Sequence, residues 1–142
     1  HSVVNRLMAN KKELKDYYYS PESAYEQSGG QLIHQEDKEF MDSVTAIIKE
    51  NLAQDTLRPE LIADKLGMNT RALYRRFKKI SLLTPSDFIK DYRMMHAARL
   101  LVTTNLSVQE IIYQVGISNK SYFYREFSAK YGVTPGEYRR MQ

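Results

Sequence analysis

An internal repeat governs what this chain can fold into. Gly67–Phe88 reads GMNTRALYRRFKKISLLTPSDF, and about fifty residues later Gly116–Tyr138 reads GISNKSYFYREFSAKYGVTPGEY. In both copies a Gly follows an apolar run. An Asn then opens a second run carrying Tyr-Arg-x-Phe, as Tyr74-Arg75-Arg76-Phe77 and Tyr124-Arg125-Glu126-Phe127. Thr-Pro-x-acid-aromatic closes each copy, as Thr84-Pro85-Ser86-Asp87-Phe88 and Thr134-Pro135-Gly136-Glu137-Tyr138. Self-similarity at a fixed period predicts two copies of one supersecondary unit.

The apolar spacing between these landmarks is helical. Phe40, Met41, Val44, Ile47, Ile48 and Leu52 form one amphipathic stripe, broken over Asn51–Thr56. Pro59 suits a first helical turn, with Leu61, Ile62 and Leu66 on one face. Asn69 is placed to cap a helix through Lys79, with Leu73 and Phe77 inward. Thr84-Pro85-Ser86-Asp87 opens a long helix to about Thr103, with Phe88, Tyr92, Met95, Ala98, Leu101 and Val102 as its apolar positions. Ser107-Val108-Gln109-Glu110 has the form of a capping box. Asn119 or Ser118 opens the next helix, bearing Phe123 and Phe127, and Thr134-Pro135-Gly136-Glu137 opens a last short one. No segment alternates with period two. The reading is all-α: seven helices, with two helix-turn-helix units (about 57–80 and 106–131) joined by a long central helix (about 85–104) and closed by a terminal helix (about 134–141).

Residues 1–35 read differently. Val3, Val4, Leu7, Met8 and Leu14 have near-helical spacing, Ser20-Pro21 ends any helix, and Gly29-Gly30 marks a linker. This part is expected to be a connector helix and arm, with Tyr17-Tyr18-Tyr19 packing on its neighbour, and 36–142 to be the domain proper. His1 in place of Met is expected to mark a processed end or a piece of a longer protein.

In a helix-turn-helix the second helix enters the major groove and its early exposed residues reach base edges. With Leu73 and Phe77 inward, the first unit offers Thr70, Arg71, Tyr74, Arg75 and Lys78. With Phe123 and Phe127 inward, the second offers Lys120, Ser121, Tyr124 and Arg125, with Ser128 beside them. Arg can bind guanine bidentately, and hydroxyls reach phosphates or bases. A net charge of +4 is modest, but Asn69–Ile80 carries Arg71, Arg75, Arg76, Lys78 and Lys79 with no acid, while Glu36, Asp37 and Glu39 gather elsewhere. Such a block is the footprint of phosphate contact; the plainer reading is a solvated helix face. A central helix of about nineteen residues spans roughly 28 Å. One face of B-DNA presents successive major-groove segments about 34 Å apart, so one chain can set both second helices on the same face.

Other classes find little support. No cysteine is present, which removes disulfides, thiolate metal sites and thiol nucleophiles. His1, His34 and His96 are scattered, with no acid or nucleophile at a catalytic spacing. No enzyme activity, cofactor, metal or small-molecule site is expected. There is no run of eighteen apolar residues, and a cytoplasmic location is expected. The rival to DNA reading is a helical protein-interaction module whose basic face meets an acidic partner.

From about Phe40 to Arg139 the chain resembles the AraC/XylS-type DNA-binding domain. The most specific stretch is SVQEIIYQVGISNKSYFYREFSAKYGVTPGEYR; LRPELIADKLGMNTRALYRRFKK and TPSDFIKDYRMMHAARLL resemble its first half. The resemblance implies seven helices, double-stranded DNA as partner, and base or backbone contacts by Arg71, Tyr74, Arg75, Lys120, Ser121, Tyr124 and Arg125. RNA polymerase and a homodimer formed through segments outside this chain are further candidate partners. Three positions depart from the family. Ile112 stands where Ala is usual and Ile117 where Phe is, a compensated exchange within one core. Leu82 replaces a helix-ending Gly, so the loop after the third helix is expected to run differently. The pattern from Glu36 through Asn51 behind a polar linker is similar to the output part of Bacteroides-type hybrid two-component regulators. Val3–Tyr19 would then be the connector from a receiver, and the full-length protein could be membrane-anchored. A soluble regulator with an upstream ligand-binding domain is the other architecture.

Overall fold

Seven helices account for the regular structure of residues 35–142, the part of the chain that the computed structural model describes. They are α1 (Gln35–Glu50), α2 (Pro59–Lys65), α3 (Thr70–Ile80), α4 (Pro85–Thr103), α5 (Val108–Gln114), α6 (Lys120–Tyr131) and α7 (Pro135–Met141). No strand occurs among the described residues. The fold is therefore all-α, with α2–α3 and α5–α6 as the two helix-turn-helix units and α4 between them. The expected connector helix and tyrosine arm lie outside the described residues. Among the described residues no helix is long and apolar enough to cross a membrane.

Local chemistry starts the helices where the sequence places the caps. The side-chain oxygens of Asn69 and Asn119 accept the N–H groups of Ala72 and Tyr122 at 2.8 and 2.9 Å. Thr84 does the same for Asp87 at 3.2 Å. Each such bond satisfies an amide with no intrahelical acceptor and contributes about 1 kcal/mol. Ser107 Oγ accepts from Glu110 N–H, the first half of the expected box. Both halves form at Thr134 and Glu137, where those hydrogen bonds hold the Glu137 carboxyl below its usual pKa.

The apolar faces bury into two clusters. The first gathers α1, α2, α3 and the start of α4 around Phe77, which meets Phe40 and Phe88 edge-on at 6.1 and 5.5 Å. The second gathers the rest of α4 with α5 and α6 around Phe123 and Phe127, and Tyr131 and Tyr138 pack on Phe127. Truncating a ring such as Phe77 or Phe127 costs about 3–5 kcal/mol, a large share of the roughly 5–15 kcal/mol that holds a domain together.

Helix α4 serves both clusters, and this corrects the single stripe expected for it. Phe88, Ile89 and Tyr92 face the first cluster, while Met94, Ala97, Ala98 and Leu101 face the second. Met95 is only partly buried, against the first cluster, and Val102 is 48% exposed. A helix buried between two cores is apolar on two faces, so one period-3.6 series cannot list its inward residues.

The departures at Leu82, Ile112 and Ile117 have structural counterparts. In the second unit α6 ends on Gly132 in the left-handed region, φ 76°. In the first unit α3 stops one repeat position earlier, at an extended Ser81 whose Oγ accepts the Leu83 N–H at 3.1 Å. Leu82 stands 68% exposed with negative φ. The loop does run differently, and no left-handed residue is needed. Ile112 is buried in the second cluster, Ile117 packs against it, and the Ile117 N–H donates to the Ile112 carbonyl at 3.2 Å.

The two turn glycines are unequal. Gly67 and Gly116 both have positive φ, 69° and 77°. A Cβ on Gly67 would meet nothing within 4 Å, whereas one on Gly116 would lie 2.1 Å from the Leu52 carbonyl oxygen. Gly67→Ala should therefore destabilise by about 1–2 kcal/mol, the left-handed penalty alone. Gly116→Ala adds a backbone collision and should lose on the order of 3 kcal/mol or more. Urea unfolding of both variants measures this, and equal losses would contradict the close approach.

A second expectation concerns His96, which stacks on Tyr92 with ring centroids 6.5 Å apart. Burial, then the charges of Arg99 and Lys49, push its pKa below the ordinary 6.5. The unfolded chain thus takes up this proton first. The contribution of His96 is complete above pH 6.5 and is lost as the pH falls towards its folded value. From pH 7.5 down to 5.5, wild-type stability should fall more than that of His96→Gln. Parallel unfolding curves at the two pH values would refute this.

Candidate nucleic-acid interface

Leu73 and Phe77 hold α3 on the first core, which leaves its opposite face in water. Arg71, Tyr74, Arg75 and Lys78 are exposed on that face, with Lys79 also exposed, and Thr70 is half-buried at the start of the helix. The Tyr74 hydroxyl lies 3.1 Å from Ser86 Oγ, which steadies it against the first turn of α4. Tyr-to-Ser contact was not legible in the sequence, because the two residues meet only once α3 and α4 have packed.

Arg76 leaves the basic block. Its guanidinium sits 4.2 Å over the Phe40 ring, donates to the Glu36 carbonyl at 3.3 Å and lies 3.8 Å from the Asp37 carboxylate. One of the acids that stood apart from the basic run in sequence, Asp37, thus offsets one member of it, on the face turned towards α1. Four exposed cations remain on α3: Arg71, Arg75, Lys78 and Lys79.

Helix α6 is built on the same plan with different chemistry. Phe123 and Phe127 are fully buried, and Lys120, Ser121 and Arg125 are exposed. Tyr124 and Ser128 are half-buried, against the fully outward positions expected for them. The Tyr124 ring is edge-on to Phe123 at 6.0 Å and packs on the second core, with Lys120 Nζ 5.9 Å above it. Arg125 is 69% exposed at its side chain, 5.7 Å over the Tyr122 ring, and only reaches Glu126 at 4.0 Å. Glu126 instead pairs with Lys90 on α4, a hydrogen bond that raises the lysine's pKa despite partial burial. Lys130 pairs with Asp91 at 2.6 Å. These pairs clamp α6 to α4. Adjacent Lys90-Asp91 was their signal in the sequence, but a charge on a helix does not name its partner.

The two outward faces are joined by α4, whose 19 residues span about 28 Å at 1.5 Å per residue. Each face carries long cationic and hydroxyl side chains on a helix stub that a major groove of about 12 Å width can admit. Among the described residues no group of three or more His, Cys, Asp or Glu could hold a metal ion.

Comparison with known proteins agrees with the fold. The helix-turn-helix domain family matches residues 62–141. Histidine kinase P4 of Formosa agariphila is 29% identical over 102 residues, 72% of this chain and 7% of that protein. The bifunctional transcriptional activator/DNA repair enzyme AdaA of Bacillus subtilis is 34% identical over 105 residues, 74% of this chain and 49% of AdaA. The C-terminal domain of the two-component response regulator yesN from Fusobacterium nucleatum superposes with a TM-score of 0.63 at 32% identity, covering 69% of this chain and 95% of that one. The chain spans less than half the length of either curated relative.

Proposed function

The chain belongs to the AraC-type helix-turn-helix family of transcription-regulator DNA-binding domains, and we propose that it reads a specific duplex sequence by setting α3 and α6 into successive major grooves. The observation that carries the reading is the duplicated exposed face, Arg71, Tyr74, Arg75 and Lys78 on α3 and Lys120, Ser121 and Arg125 on α6, mounted on one helix. Thr70 and Tyr124, half-buried at the edges of those faces, complete the set we assign to DNA contact. Double-stranded DNA is the partner the family implies, in place of the protein-interaction module.

We assign residues 35–142 no catalytic role; the repair activity in the name of AdaA belongs to that protein, half of whose length lies outside the match. Likeness to a histidine kinase and to a response regulator's C-terminal domain supports placing this domain at the output end of a two-component regulator. RNA-polymerase contact and dimerisation then belong to the larger assembly. The reading part works in the cytoplasm, beside the DNA, whether or not the full-length regulator is membrane-anchored.

Selection from a random duplex pool tests the reading. The wild-type chain should enrich one sequence, and Arg71→Ala and Arg125→Ala should each relax preference in its own half of the site, at about 1–3 kcal/mol. No enriched sequence from wild type would refute it; equal weakening on all sequences would make both arginines phosphate anchors. Salt dependence gives a separate check. Changing Arg71, Arg75, Lys78 and Lys79 to Gln together should reduce the slope of log K against log salt by up to about 3.6, and Lys120 with Arg125 by up to about 1.8. Equal reductions would refute the charge asymmetry between the two helices.

A further inference from the structure

We propose that Arg93 is a positioning residue for two-site reading: its guanidinium fixes the rotation of the second helix-turn-helix unit against the first, and so the half-site spacing that the chain accepts. This rests on the DNA-reading function above and goes beyond it, since Arg93 belongs to neither reading face.

The two apolar clusters have no residue in common. Helix α4 sets the distance between the units, but a helix joining two separate cores can still bend and twist. Arg93 lies where the helix changes allegiance, between Tyr92 in the first cluster and Met94 in the second. Its Nη2 donates to the carbonyls of Leu52 and Gln54, at 3.4 and 3.1 Å, in the loop that leaves α1. The same nitrogen is 3.1 Å from where a Cβ of Gly116 would stand, and Leu52 O is 2.1 Å from that point. The loop that leads from α1 into the first unit, the central helix and the turn of the second unit therefore converge on one guanidinium.

Beside the close approach of Leu52 O to Gly116, the join is partly open. Beyond Arg93 a cleft of about 320 Å³ opens between Leu57 and Pro59 of the first unit and Ile117 and Tyr122 of the second. The ion pairs Lys90–Glu126 and Asp91–Lys130 also tie α6 to the stretch of α4 that faces the first cluster, but both hold α4 alone, whereas Arg93 reaches past α4 to the loop after α1. Arg93 Nε is buried without a hydrogen-bond partner, and burial lowers the group's pKa. A desolvated, incompletely satisfied cation is a poor device for stability alone, and an apolar side chain of similar volume often does as well or better there. Its planar donors are suited to holding two carbonyls at a fixed orientation.

That contrast supplies the test. The selected duplex is compared with duplexes carrying one base pair more or fewer between the half-sites, using wild type, Arg93→Met and Arg93→Lys of the full chain, with thermal unfolding in parallel. Wild type should lose about tenfold or more for either change, whereas Arg93→Met, folded as stably as wild type, should lose no more than about threefold while keeping its base preferences within each half-site. Arg93→Lys, which can still donate to one carbonyl, should restore part of the spacing penalty. If Arg93→Met does not fold, Arg93→Lys carries the comparison: a reduced penalty supports the assignment and an undiminished one overturns it. A folded Arg93→Met that keeps the full penalty, or that weakens all spacings equally, also overturns it. A wild type that selects two half-sites but ignores their spacing overturns the inference and leaves DNA reading intact; a wild type that selects nothing refutes the reading itself.

Discussion

Burial of α4 on two faces is the constraint from which the rest of the structure follows. Phe88, Ile89 and Tyr92 complete the core under α3, and Met94, Ala97, Ala98 and Leu101 complete the core under α6. Neither helix-turn-helix unit closes its apolar face without its share of α4, so each second helix is held against a common strut. A short helix such as α2 or α5, seven residues each, is far too short to persist alone in water. Packing against α4 and its partner helix supplies what propensity cannot. The outward residues of α3 and α6 are thus displayed on elements whose backs are locked.

Much of this was readable because it is local. A cap needs an oxygen-bearing side chain three residues before the amide it accepts, and Asn69, Thr84, Asn119 and Thr134 announced themselves that way. Leu73–Phe77 and Phe123–Phe127 fall four apart on one helix face, which told what points inward and most of what points out, Tyr124 and Ser128 excepted. The exceptions arise from contacts distant in sequence. Arg76 reaches back to Glu36 and Asp37, Lys90 reaches forward to Glu126, and Arg93 reaches the carbonyls of Leu52 and Gln54. Nothing in helical spacing distinguishes these charges from solvated ones. Met95 and Val102 were misplaced for the related reason that a period search assumes one core per helix.

The repeat keeps the Asn and Thr caps of its second and closing helices, at Asn69 and Asn119 and at Thr84 and Thr134, and is looser where backbone and volume are concerned. The second unit ends α6 on a left-handed Gly132, while the first ends α3 on an extended Ser81 and leaves Leu82 in water. At the turns, Gly67 has room around it and Gly116 has none. The crowding is a consequence of position. Gly116 faces the first unit across the join, whereas a Cβ on Gly67 would meet no neighbour. A duplicated motif keeps its internal rules in both copies, and the copies diverge where each meets something the other does not.

The same logic separates the electrostatics of the two reading helices. On α3 one cation of five is neutralised, Arg76, and it is the one on the inward flank; the outward cations face no acid within their own helix. On α6 the acid Glu126 and the cation Lys130 both pair with α4, so charge is used to fasten the helix. Fastening by ion pairs leaves Lys120 and Arg125 to meet a phosphate backbone, next to a hydroxyl and a half-buried tyrosine ring. Attraction to DNA grows with the number of phosphates that cations neutralise, so on the proposed reading α3, with four exposed cations, supplies the larger share of it. On the same reading, α6, held by two ion pairs and two buried phenylalanines, presents its outward residues from a fastened helix.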